Sequence, residues 1–146
     1  MLIADAIYKW APNGNSTGQN FKRQDEYFRR HENGELASGG SAGGFDSTQS
    51  GWYMQGVYQF VPNWRAGVRY DKLSSGTPSI GLPVDAFPLL GAYSPSRSSV
   101  MVDYSPSEFS RLRLQLARDQ SRPGATDNQV CLQYIMSLGT HAAHAF

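Results

Sequence analysis

Apolar and polar residues alternate with a period of two along most of this chain. Seven stretches keep the alternation long enough to predict strands, roughly residues 2–10, 21–32, 51–61, 64–73, 97–104, 111–118 and 128–138. Leaving the second stretch aside, one face collects 25 residues without a charge. They are Leu2, Ala4, Ala6, Tyr8 and Trp10; Trp52, Met54, Gly56, Tyr58 and Phe60; Trp64, Ala66, Val68 and Tyr70; Val100, Val102 and Tyr104; Leu112, Leu114 and Leu116; and Val130, Leu132, Tyr134, Met136 and Leu138. The opposite face carries Asp5, Lys9, Arg65, Arg69, Asp71, Asp103, Arg111 and Arg113, with glutamines between them. No stretch shows the 3.6-residue period of an amphipathic helix. The pattern predicts an all-β chain, an antiparallel up-and-down meander of about seven strands forming one domain over 1–146.

Strand length and aromatic placement sharpen that reading. Most stretches are near the ~9–11 residues of a tilted membrane-spanning strand, longer than the ~5–6 usual in soluble sheets. Trp10, Phe60, Trp64, Tyr104 and Phe109 flank short connections, while Trp52 and Tyr70 sit at the opposite strand ends. Two aromatic girdles at the faces of a bilayer have this appearance. Aromatics capping a soluble β-sandwich core are the competing interpretation. The six connections also alternate in length, each odd-numbered one being shorter than the next. On the membrane reading 62–63 and 105–110 are periplasmic turns, while the Gly/Ser-rich 33–50 and the Pro-rich 74–96 are external loops.

Composition narrows the classes. The chain has 146 residues, 13 Lys and Arg against 12 Asp and Glu, and a single cysteine. Near-neutral charge argues against a bulk nucleic-acid binder, and one thiol against a disulfide framework or a multi-thiolate zinc site. No apolar run approaches the ~20 residues of a spanning helix. Met1-Leu2-Ile3-Ala4, stopped by Asp5, is too short for a signal-peptide core.

The runs Gly51-Trp52-Tyr53-Met54-Gln55-Gly56-Val57-Tyr58-Gln59-Phe60 and Trp64-Arg65-Ala66-Gly67-Val68-Arg69-Tyr70-Asp71 resemble Gram-negative outer-membrane barrels. So do residues 104–115 and 133–139. The resemblance is to porin-like barrels labelled zinc-regulated, TonB-dependent receptor-like proteins, and to phosphate-selective porins. It covers most of the chain but only the C-terminal part of such a protein. It implies a C-terminal portion of a transmembrane β-barrel, with lipid bilayer, barrel-assembly machinery and the remaining strands of a larger barrel as partners. It further implies an outer-membrane location and no nucleic acid. Phe146, at the chain end, resembles the signal that the assembly machinery reads. With no plug domain, TonB-interaction box or signal peptide in the sequence, energy-coupled uptake is not implied.

The candidate chemistry lies on the polar face. In the second stretch Lys22, Glu26, Arg30 and Glu32 fit a polar lumen, with Phe28 as the exception. Phe21, Arg23, Asp25, Tyr27 and Arg29 then point to lipid; either Arg23 and Asp25 pair along that face, or the strand packs against another subunit, or the sequence has drifted from a working barrel strand. Lumen charges become Lys9, Lys22, Arg30, Arg65, Arg69, Arg111 and Arg113 against Asp5, Glu26, Glu32, Asp71 and Asp103. Such charges either bias ion passage or pair off as wall structure. His141 and His144 are weak metal candidates without further ligands in their small-residue tail. Cys131 reads as an inert thiol, His31 as a loop residue without a marked partner, and 39–44 as a flexible glycine loop. Asn13-Gly14 and Asn33-Gly34 read as turns. No nucleophile stands beside a base, so no enzyme and no cofactor are expected. The expected function is passive passage of solutes or ions through a porin-like channel or receptor wall. The alternative is a soluble sandwich that binds a ligand or partner.

Overall fold

The computed structural model describes residues 1–137; Leu138, His141, His144 and Phe146 lie outside them. Eight strands form one antiparallel sheet: β1 (Leu2–Trp10), β2 (Asn20–Ser38), β3 (Ser41–Val61), β4 (Trp64–Ser74), β5 (Ser79–Ile80), β6 (Ser96–Ser107), β7 (Ser110–Gln120) and β8 (Asp127–Met136). Their order is β1-β2-β3-β4-β6-β7-β8, with β5 beside β3. The expected meander is therefore present, and no α-helix occurs among the described residues. The sheet is not closed: among the described residues the outer edges of β1 and β8 pair with no other strand.

Register keeps the two faces separate. Leu2 pairs Arg29, Tyr27 pairs Trp52, Gly56 pairs Val68, Val68 pairs Val100, Val100 pairs Leu116 and Leu116 pairs Val130. Directly paired residues point the same way, so even positions of β3, β4, β6, β7 and β8 share one face with even positions of β1 and odd positions of β2. A slip of one residue anywhere would mix the faces.

The second connection departs from expectation. Residues 33–50 are not a loop: β2 and β3 run on as a ladder to Ser38 and Ser41, closed by Gly39-Gly40. Both glycines have positive φ, 60° and 82°, as the tight hairpin turn requires. The glycines of 39–44 thus divide between a turn and a strand, and Asn33-Gly34 lies inside β2 opposite Asp46 and Phe45. Gly and Ser carry no apolar alternation, which is why sequence periodicity stopped short of this ribbon. The length rule for connections fails with it, since nine residues (11–19) precede a two-residue turn.

The fourth connection folds back on the ribbon. β5 places Ile80 opposite Phe45 and Ser79 opposite Asp46, beyond the end of β4. Gly76 passes so close to the Thr48 carbonyl that a Cβ there would fall 2.2 Å from the oxygen, and its φ is +64°. Ser75 donates its backbone N–H to the Tyr93 carbonyl, and the Tyr93 hydroxyl donates to the Gln120 carbonyl.

No hydrophobic core forms. Among the described residues Ala117 is the one buried hydrophobic side chain, whereas Asp103, 1% exposed, is the most buried of the polar ones. The outer ribbon is held by its ladder and its turn. Gly40→Ala is expected to cost about 1–2 kcal/mol locally, because an L-residue resists the left-handed region. Hydrogen exchange should show faster opening of the ladder between Leu36 and Gly43, with the β6–β7 ladder unchanged.

Candidate functional site

The even-parity face is apolar and open. Val68 is 61% exposed and Leu132 77%; Trp52, Met54, Tyr58, Trp64, Leu112, Leu114 and Met136 are exposed as well. Trp64 stacks against Tyr104 at 4.7 Å and Trp52 against Tyr70 at 5.4 Å between ring centroids. These two aromatic pairs lie toward opposite ends of the strands. From Trp52 to Phe60 the chain advances about 27 Å, near the ~25 Å of a barrel's apolar band. Trp10 is exposed at the turn end, and Phe109 is exposed in the β6–β7 turn itself. Contiguous apolar exposure on this scale is abnormal for the free surface of a soluble monomer.

Charges on this face stand in two places, toward the loop end and, on β2, at mid-strand. Lys72 and Arg118 belong to it by register, beyond the 25 uncharged positions. On β2, Arg23 and Asp25 also face outward and pair along the strand at 2.8 Å. The side-by-side pairing is thus the arrangement adopted.

The other face is concave. It encloses a groove of about 1370 Å³ reaching from Lys9 and Lys22 across Arg65, Arg69 and Asp103 to Arg111 and Arg113. Every sequence-selected lumen charge within the strands, Arg30 and Asp71 included, has the parity of this face. Arg113 clamps Asp103 with two hydrogen bonds, Nε to Oδ1 at 2.7 Å and Nη2 to Oδ2 at 2.9 Å. Arg69 forks onto Asp71, with its shortest N–O distance 2.6 Å, and its guanidinium lies 3.9 Å above the Tyr53 ring. Gln24 donates to the Tyr53 hydroxyl at 2.9 Å. Arg30 pairs with Glu32 at 2.6 Å on the outer ribbon. Phe28, out of place by polarity, covers Gly51: a Cβ there would come within 2.3 Å of its ring.

Other candidates resolve simply. His31 lies in β2, not in a loop, and has partners: Nδ1 is 3.2 Å from the Thr48 hydroxyl and Nε2 3.4 Å from Asp46. Periodicity carries no trace of these partners, because they sit across the Gly/Ser ladder. Cys131 is exposed on the polar parity, opposite Gln115. No group of three or more metal-ligating side chains occurs among the described residues. At the β7–β8 connection Arg122 donates to Asp127 at 2.5 Å, and this hydrogen bond holds its guanidinium above the ordinary value.

Comparison with known proteins adds one relative. An uncharacterized protein of Aquifex aeolicus (strain VF5) is 30% identical over 128 residues, covering 84% of this chain. The chain spans 26% of that relative's length. No family model matches, and no solved structure matches.

The Asp103 carboxylate is 2% exposed and Arg113 27%. Removing Asp103 strands the partly exposed Arg113 charge, at about 1–3 kcal/mol. Asp103→Ala is therefore expected to lower stability by that order, and Asp71→Ala, at a more open pair, by less. In denaturant titrations the double variant Asp103→Ala/Arg113→Ala should recover part of the loss.

Proposed function

We propose that this chain is part of the wall of a transmembrane β-barrel in a Gram-negative outer membrane, its concave face lining a water-filled passage for solutes or ions. The observation that carries this reading is an inversion of ordinary burial. Apolar side chains occupy the exposed convex face between two aromatic rows, while charged side chains occupy the sheltered concave face. Hydrocarbon satisfies the first and water in a lumen the second. Passage is passive: charges along the wall bias which solutes enter, and the long fourth connection narrows the mouth. The open edges of β1 and β8 call for further strands, because an unpaired edge is not tolerated in lipid. The relative's greater length is consistent with such strands, supplied by a larger polypeptide.

The test is membrane placement. Fractionated from Gram-negative cells, the chain is expected in the outer membrane, with tryptophan emission quenched by brominated acyl chains. Val68→Arg and Leu114→Arg should each cost about 2–4 kcal/mol of integration if they sit near the bilayer midplane. Ser99→Arg, on the opposite face, should cost much less. A monomer that stays soluble without detergent and whose tryptophans escape quenching would overturn the reading.

A further inference from the structure

Register places the concave-face charges in two zones along the strands. One complete row runs Asp5–Glu26–Tyr53–Asp71–Arg97–Asp119–Asp127 across all seven long strands. It holds five acids and one arginine. Toward the turn end the sign reverses: Lys9, Lys22, Arg65, Arg111 and Arg113 all lie within the first four residues of their strands counted from that end. Asp103 on β6 and Glu108 in the adjoining turn are the acids there.

Ion pairing leaves the zones unbalanced. Arg113 is taken by Asp103, Arg69 by Asp71 and Asp127 by Arg122, and Arg97 lies 3.6 Å from Asp119. Among the described residues Lys9, Lys22, Arg65 and Arg111 have no acid within 4.0 Å. Lys9 stands directly opposite Lys22, an arrangement that costs free energy in a sheet with nothing negative between them. Arg65 reaches the Gln59 amide oxygen at 3.3 Å, and the buried Arg111 Nε has no hydrogen-bond partner. At the loop end Asp5 and Glu26 are likewise without ion pairs among the described residues.

We infer that the concave wall is electrically polarised along the strand direction, cation-attracting at the loop end and anion-attracting at the turn end, so that a pore it lines conducts unequally in the two directions. The inference rests on the barrel reading above. Four residues separate Lys22 from Glu26, about 13 Å along the strand, which exceeds the ~8 Å screening length at physiological salt. The two zones therefore act as separate filters. When the loop side is positive, cations enter through the acidic zone and anions through the basic zone. Both accumulate between, and current rises. Reversed, both are drawn out and current falls.

The experiment is single-channel recording of the full polypeptide in a planar bilayer. The loop side is identified as the chamber where streptavidin alters the current of a channel biotinylated in residues 75–95. At 0.1 M KCl, current with the loop side positive should exceed the reverse by ~2-fold or more, falling toward equality at 1 M, where screening shortens to ~3 Å. Lys9→Gln/Lys22→Gln/Arg65→Gln should bring the ratio toward one, and Asp5→Asn/Glu26→Gln should reduce it independently. The salt titration needs no variant, so a variant that fails to assemble leaves the test standing. An open channel with equal currents at 0.1 M, a reversed sense, or a ratio that both variants leave unchanged overturns the polarised wall while the barrel stands. Absence of any conductance overturns both.

Discussion

A sheet one layer thick is held together from within by its backbone ladder and by the side chains that meet across it, with no packed core behind either face among the described residues. Here the ladder is long and its register unbroken from β1 to β8 apart from irregularities near the β3–β4 and β6–β7 turns. No second layer of side chains closes over either face, and Ala117 alone of the described hydrophobic side chains is buried. On the proposed barrel reading, burial of apolar area, ordinarily the dominant favourable contribution to folding, is supplied from outside the chain. On that reading the 9–12 residues of β1, β4, β6, β7 and β8 fit a bilayer, and the aromatic rows stand at its limits. The Arg23–Asp25 pair of β2 is the exception on a face otherwise free of charge at mid-strand.

The concave face answers a different constraint. Guanidinium groups crowded on one wall are tolerable only where carboxylates, amides or water meet them. The pairing is local: Arg69 forks onto Asp71 two residues along its own strand, while Arg113 reaches Asp103 across the β6–β7 ladder. Asp103 occupies the most enclosed position among the described side chains, a place that a leucine would hold in a soluble sheet. Here a polar pair, Arg113 with Asp103, ties neighbouring strands where a packed core would otherwise do so.

Much of this was legible in the sequence because a period of two is a direct imprint of the pleat. β1 matches its expected limits of 2–10, and β4, with its alternating Trp64, Ala66, Val68 and Tyr70, is longer by one residue. The charges selected as lumen-facing fall on one parity for the same reason. What escaped notice was structure without side-chain contrast. Residues 33–50 are too rich in Gly and Ser to show which face is which, so a nineteen- and a twenty-one-residue strand were legible only in part. The partners of His31 and the backbone pairing of Ile80 with Phe45 arise between segments distant along the chain, where no local pattern records them. Charge zoning is likewise invisible along the sequence. It exists only once register aligns Asp5 with Asp127 across the whole sheet.

Beyond Arg29 on one side and Ser50 on the other, β2 and β3 leave the shelter of β1 and β4 and continue as a two-stranded arm. A beam fixed at one end bends most readily about its root, and its tip travels farthest. Residues 76–82 brace one edge along most of its length, from Gly76 against Thr48, through β5 opposite Phe45 and Asp46, to Gly81, whose N–H donates to the Gly44 carbonyl beside Gly43. The other edge has no strand partner among the described residues. Any swing of the arm must therefore carry the fourth connection with it, so that ribbon and connection behave as one stiffened tab standing on the rim of the sheet.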